Sequence, residues 1–245
     1  MRYQGGKHRI AKHLMRAIQL HLHSKGVRNL HELTFVEPFC GGANMTACAA
    51  PYFKHVLAYD ANPYIIAMWQ EIANGWCPPE SVSENTFNRM VGQYKEITER
   101  KQMASAGFML SGCAYGGIFA GSYAKEIGRD FAQESRAAVM RKAVTLANAT
   151  FEQSDYKCTT PAYGSVVYCD PPYANTMGYT FGDFDHAAFW SWAKETAKSC
   201  FIFVSEKVAP PEWQSIWSMP IQNSISKKMR MTERLFVLDD STAKA

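Results

Sequence analysis

Two consecutive prolines, Pro171 and Pro172, stop the apolar run Ser165-Val166-Val167-Tyr168-Cys169 at Asp170. The run is β-branched and aromatic, which is the composition of a buried strand. Neither proline has an N–H and each has a fixed φ, so a sheet ladder cannot continue through them. The chain must leave the sheet at Asp170. It does so in a stiff loop that carries a carboxylate, a proline carbonyl and then the flat face of Tyr173. Two acceptors beside an aromatic face suit a planar NH2 group on a ring, such as the exocyclic amine of a nucleobase.

Strand and helix signals alternate over the rest of the chain. Residues 33–37, 55–60, 150–155, 165–169 and 200–205 have strand composition. Residues 43–50 form a short apolar helix stopped by Pro51, and 185–198 have helical spacing with Phe189, Trp192 and Ala193 on one side. Asn62 is an N-cap with Pro63 in the first turn of the helix it opens. Such alternation implies an α/β fold, a mainly parallel Rossmann-like sheet with helices on both faces. Two further strands are expected at 223–228 and 234–239, joined by a short basic turn.

Residues 76–145 break this rhythm. Pro78-Pro79 opens the segment, and 84–101 is a charged helical stretch. The run from Ser111 to Tyr123 then interleaves glycines with aromatics, which suits a loop lying close against another surface. The expected organisation is a catalytic domain built from 1–75 and 146–245, with 76–145 inserted. At 245 residues, 47% hydrophobic and 20% charged, the chain has an ordinary globular composition. No stretch approaches a membrane span, and the first 30 residues lack a signal-peptide core. Seven cysteines with no Cys-x-x-Cys pair are expected to be reduced thiols in a cytoplasmic protein.

Three further sites are visible. The turn Phe39-Cys40-Gly41-Gly42-Ala43-Asn44 follows a strand and opens a helix, so ligand and backbone can approach closely beside unpaired N–H groups. It is not Gly-x-Gly-x-x-Gly, which disfavours a dinucleotide fold. Asp60, at the tip of the second strand, can accept both hydroxyls of a ribose. Gly5-Gly6-Lys7 lacks the preceding strand and the following Ser or Thr of a phosphate loop, so phosphate hydrolysis is not expected. His186 has the position of a surface histidine, and no cluster has metal-ligand spacing. The net charge is only +4, but residues 1–31 hold seven Lys and Arg and no acid before Glu32. Lys227, Lys228 and Arg230 form a second basic group, and such groups on one face attract a phosphate backbone.

Asp170-Pro171-Pro172-Tyr173 resembles the catalytic motif of S-adenosylmethionine-dependent amino-methyltransferases. The chain as a whole resembles the Dam-like DNA adenine-N6 methyltransferases, including phage-encoded members. The resemblance also rests on Arg2-Tyr3-Gln4-Gly5-Gly6-Lys7, Phe35-Val36-Glu37-Pro38-Phe39-Cys40-Gly41-Gly42, Asp60-Ala61-Asn62-Pro63, Asp155-Tyr156, Val204-Ser205-Glu206 and the run from Arg230 to Phe236. It implies S-adenosylmethionine as cofactor, held by Tyr3, Lys7, Glu37, Pro38, Phe39, Gly41, Asp60, Asp155 and Asp170. It implies double-stranded DNA as partner, with a flipped adenine taken by Asp170, Pro171, Pro172 and Tyr173. Tyr179 and Phe181 would close over the base. Arg89, Lys95, Tyr115 and Tyr123 of the insertion would read sequence, with Lys227, Lys228 and Arg230 on the duplex. Two departures stand out: the family often has a third glycine where Ala43 stands, and proline or alanine where Gln4 stands. Transfer to cytosine-N4, an RNA base or a protein glutamine, and a silent DNA-binding module, remain the alternatives. Asp rather than Ser or Asn before Pro-Pro-Tyr disfavours cytosine and glutamine by family habit.

Overall fold

A computed structural model describes residues 1–173, 184–222 and 230–238. Among these, seven strands form one sheet: β1 (Thr34–Glu37), β2 (His55–Asp60), β3 (Ala149–Gln153), β4 (Val166–Cys169), β5 (Phe201–Glu206), β6 (Trp213–Gln222) and β7 (Arg230–Leu238). Their order is β3-β2-β1-β4-β5-β7-β6. The first five in that order are parallel, and β7 runs antiparallel to both β5 and β6. This is the expected Rossmann-like α/β architecture.

Among the described residues seven α-helices accompany the sheet: α1 (Ala11–Ser24), α2 (Asn44–Ala49), α3 (Pro63–Ala73), α4 (Glu84–Gln93), α5 (Arg100–Gly112), α6 (Phe131–Ala143) and α7 (His186–Thr196). The period-2 alternation of strand side chains distributes them. Phe35, Val166, Tyr168, Phe203 and Leu235 pack with α1 and α2 residues such as Leu14, Ile18 and Met45. Their neighbours Val36, Val167, Cys169, Ile202, Val204 and Phe236 pack with Phe189 and Ala193 of α7. Helices therefore cover both faces, and β4, flanked by β1 and β5, is buried throughout.

Local capping fixes several boundaries. Asn62 accepts from the N–H groups of Tyr64 and Ile65 and Pro63 is the first residue of α3, while Asp185 caps α7 through Ala188 N–H. The expected helical stretch 84–101 is instead broken. Tyr94–Glu96 tightens into a 3-10 turn, and a new helix, α5, starts where the Glu99 carboxylate accepts from Lys101 and Gln102 N–H. The expected strand 223–228 lies outside the described residues. The strand paired with β7 comes earlier, at β6, where Pro220 sits in the ladder. A proline is tolerated there because β6 is the sheet edge.

Residues 76–145 connect α3 to β3, and their apolar side chains enter the same core as α3. Phe87, Tyr94, Ala104, Phe108, Leu110 and Val139 cluster with Ala58, Ile65, Trp69 and Phe151. Helix α5 meets α3 closely at Gly107, where an added Cβ would lie 2.1 Å from the Tyr64 carbonyl oxygen. No helix among the described residues is long and apolar enough to cross a membrane. All seven cysteines are free.

Candidate active site

The parallel strands deliver acidic residues to one edge of the sheet. Reading across it, Asp155 follows β3, Asp60 ends β2, Glu37 ends β1, Asp170 follows β4 and Glu206 ends β5. The carboxyl ends of parallel strands, at the point where strand order reverses, are where open α/β sheets bind ligands. Here the reversal lies between β1 and β4, beside Glu37 and Asp170.

A cavity at this edge is lined by Tyr3, Gly5 to Lys7, Glu37 to Gly42, Asp60, Ser154 to Tyr156, Asp170, Pro172 and Phe184. The structure thus brings together Tyr3, Lys7, Glu37, Pro38, Phe39, Gly41, Asp60, Asp155 and Asp170, which lie far apart in sequence. The glycine turn is held by Trp69, whose indole N–H donates to Gly41 O at 2.9 Å. Gly41 has φ +42, and an added Cβ there would stand 2.4 Å from the Tyr3 ring. Ala43 also has positive φ, +50, so the family's third glycine falls on a left-handed position that costs an alanine strain.

Each acid has its own environment. Asp60 accepts Gly41 N–H at 2.8 Å and Asn62 N–H at 2.9 Å through different oxygens, and burial raises its carboxyl to about 6. Glu37 is buried, accepts the Thr46 hydroxyl, and is raised by burial to about 8. Asp155 is exposed and accepts Lys157 N–H at 2.9 Å, which caps a short 3-10 turn. Tyr156 lines the cavity against Phe39 and Phe184, at 5.5 Å between ring centroids in each case. Its hydroxyl is buried with no protein partner. Aromatic walls, an orphaned hydroxyl and carboxylates spaced along the strand ends fit a nucleoside with a charged tail.

The Asp170 loop is tied to the N-terminal segment. Lys7 Nζ donates to Asp170 Oδ1 at 2.6 Å and to Gly5 O at 3.1 Å. It also lies 3.6 Å from Glu233 Oε1, on β7, and 4.7 Å from the centroid of the Tyr173 ring. The Tyr173 hydroxyl donates to Glu233 Oε1. Burial would lower the Lys7 ammonium, but Asp170 and Glu233 outweigh it and hold it above its ordinary value. Burial raises Asp170 to about 6 against the opposing pull of Lys7. Pro171 is buried, while Pro172 and Tyr173 are half-buried. Tyr156 and Glu233 fall within the motifs Asp155-Tyr156 and Arg230 to Phe236 but had no assigned role, and β7 also carries Arg230, Thr232 and Arg234, so Glu233 does not stand out in its strand.

The residues assigned to the duplex divide differently. Arg89, Lys95 and Tyr115 are exposed. Tyr123 is half-buried: its hydroxyl donates to Val82 O at 2.6 Å and its ring lies 5.5 Å from Phe87. Lys227 and Lys228, like Tyr179 and Phe181, lie outside the described residues, and Arg230 is described only as the first residue of β7. In the N-terminal basic group Arg9, Lys12, Arg16, Lys25 and Arg28 are exposed, whereas Lys7 is buried in its ion pairs and Arg2 lies over the Phe131 ring at 3.9 Å. His186 is half-buried against Phe184. Among the described residues no group of three His, Cys, Asp or Glu side chains could hold a metal ion.

Residues 3–110 match the family model described as D12 class N6 adenine-specific DNA methyltransferase. That segment carries the N-terminal motif, the glycine turn and Asp60, and the match supports a methyltransferase. No curated protein sequence matches the chain. Among solved structures, a Thermoplasma acidophilum protein is 8% identical, with 91% of this chain and 86% of that one covered and a TM-score of 0.42. The tRNA methyltransferase TrmI from Aquifex aeolicus is 10% identical, with 94% and 68% covered and a TM-score of 0.40. The N-methyltransferase NodS from Bradyrhizobium japonicum, solved with S-adenosyl-L-homocysteine, is 9% identical, with 93% and 87% covered and a TM-score of 0.37.

Proposed function

We propose that the chain is an S-adenosylmethionine-dependent DNA methyltransferase that acts on the N6 amine of a flipped adenine in double-stranded DNA. The observation that carries this reading is the position of Asp170. It leaves β4 in a proline-stiffened loop and lines the same cavity as the glycine turn on the adjacent strand β1. The family match supports adenine in DNA as the substrate.

The cofactor supplies a methyl group on a sulfonium, open to direct displacement by the amine. Glu37 and Lys7 would border its amino-acid end, Asp60 its ribose, and Phe39, Tyr156 and Phe184 its purine. Asp170 and the Pro171 carbonyl would accept from the target amine. An aromatic amine is a poor nucleophile because its lone pair is delocalised into the ring, and two fixed acceptors favour the pyramidal form that localises it. Acceptors set before reaction act without reorganisation. A base inside a duplex cannot reach this loop, so the adenine is flipped out and stacks on Tyr173. Residues 76–145, with Arg89, Lys95 and Tyr115 exposed, would read the site.

The test is methyl transfer from labelled cofactor to unmethylated duplex DNA by the purified chain, followed by nucleoside analysis. Label in N6-methyladenine supports the reading; label in N4-methylcytosine, label in RNA only, or binding without transfer overturns it. Asp170→Ala should keep cofactor binding while losing roughly a hundredfold or more in single-turnover rate, the scale of one preorganised polar group.

A further inference from the structure

We infer that Glu233 is a positioning residue for the transfer, holding the Tyr173 ring in place and keeping Asp170 from being neutralised by Lys7. The inference rests on the methyl-transfer reading above.

Glu233 is only 1% exposed, in a strand that pairs with β5 and β6. A buried carboxylate is costly unless paired. Among the described residues both of its partners belong to the site: the Tyr173 hydroxyl and, at 3.6 Å, the Lys7 ammonium. That ammonium is also 2.6 Å from Asp170. Two carboxylates thus share one cation, and the cluster carries a net charge of −1.

The sign matters for the chemistry. In the transfer the methyl–sulfur bond breaks with its electron pair left on sulfur. The N6 lone pair forms the new nitrogen–carbon bond, and the extra proton on nitrogen passes to Asp170. Positive charge therefore arrives at the nitrogen beside Asp170. With Lys7 as its one charged hydrogen-bond partner and no Glu233, Asp170 would be half of a neutral pair. Glu233 takes up part of the lysine's charge and restores a negative field where the cation develops. The same carboxylate fixes the edge of the Tyr173 ring, so a stacked base meets a surface already oriented.

The other charged groups around Asp170 do not substitute for Glu233. Glu37 lies on β1 and is bonded to Thr46; Glu206, at the end of β5, accepts Lys207 N–H. Lys207 approaches the Tyr173 ring at 5.3 Å but is half-exposed, where solvent screens its charge.

The test compares single-turnover methylation across pH for wild type, Glu233→Gln and Tyr173→Phe, with S-adenosylhomocysteine affinity measured alongside. Glu233→Gln should lower the plateau rate roughly tenfold or more and leave that affinity unchanged. It should also move the acid limb to lower pH, because a negative neighbour of Asp170 has gone. Tyr173→Phe keeps the Lys7–Glu233 pair but loses a hydroxyl that holds the Asp170 carboxyl down, so its rate should fall with the limb moved to higher pH, opposite to Glu233→Gln; this variant carries the test of the ring if Glu233→Gln does not fold. An unchanged rate in either variant, or a Glu233→Gln rate loss with an unmoved limb, overturns the inference. Failure of the wild type to methylate any DNA would sink the underlying reading instead.

Discussion

The ammonium of Lys7 lies 2.6 Å from Oδ1 of Asp170, joining a residue near the start of the chain to the loop after β4. Lys7 is buried and Asp170 half-buried, and the buried Glu233 lies 3.6 Å from the same ammonium. Removing the cation leaves two carboxylates facing each other. Lys7→Met should therefore destabilise the fold by about 3–5 kcal/mol, the usual scale for breaking a buried ion pair. The loss should shrink at acid pH, where the carboxyls can protonate. Urea unfolding at pH 5 and pH 8 measures both; a variant as stable as wild type at pH 8, or one whose loss does not shrink at pH 5, would refute it.

Glu37 gives a second pH signature. Its carboxyl is raised by burial from an ordinary 4.5 to about 8. Between those values the folded state holds a proton that the unfolded state has released, so Glu37 makes wild type lose stability as pH rises through that window. Glu37→Gln cannot ionise. Its stability relative to wild type should improve steadily from pH 5 to pH 8, whatever constant cost comes from the altered bond to Thr46. A relative stability that is flat or falls with pH would show that Glu37 is charged in the fold.

Gly107 sits where α5 crosses α3. A Cβ 2.1 Å from the Tyr64 carbonyl oxygen has no flexible neighbour to displace, so the helices must move apart. Gly107→Ala should cost about 1–3 kcal/mol or more through overpacking, despite alanine's better helix propensity. Gly92, in α4 with nothing within 4 Å of its Cβ position, is the control. Its alanine variant should be slightly stabilised. Denaturant midpoints that rank the two variants the other way would contradict the packing.

Gly41→Ala should abolish cofactor binding while leaving most of the fold intact. The new methyl would overlap the Tyr3 ring and strain a left-handed backbone at the mouth of the cavity. Titration with S-adenosylhomocysteine, with circular dichroism as the check on folding, tests this. Undiminished affinity would place the ligand elsewhere.

Within residues 76–145, the exposed Arg89, Lys95 and Tyr115 and the half-buried Tyr123 should behave differently. Substituting Arg89, Lys95 or Tyr115 should alter which DNA sites are methylated, since base edges are read by side chains that enter a groove. Tyr123→Phe should leave the site unchanged and cost about 1 kcal/mol by stranding the Val82 carbonyl. Methylation mapping at fixed salt separates the two, because affinity varies steeply with ionic strength. A shifted site in Tyr123→Phe with none in the other three would reverse the assignment.

Short-range chemistry made part of this protein legible from sequence. Pro171-Pro172 must end a strand, Asn62 and Asp185 cap the helices that follow them, and the apolar runs of β1, β2, β4 and β5 have buried-strand composition whatever surrounds them. Those features depend on neighbours a few residues away. They also place Glu37, Asp60 and Asp170 at strand ends, and so along one edge of any parallel sheet. What the tertiary structure alone decided is which groups meet across that edge. The sheet order brings β1 beside β4 and β7 beside β5, and with it the sharing of Lys7 between Asp170 and Glu233. No local pattern encodes a contact between residues 7, 170 and 233. The same holds for Tyr123, whose hydroxyl finds Val82 across the fold of residues 76–145, and for β6, whose Pro220 is acceptable only at an edge. Periodicity and capping are properties of a segment; charge pairing and packing are properties of the assembled sheet.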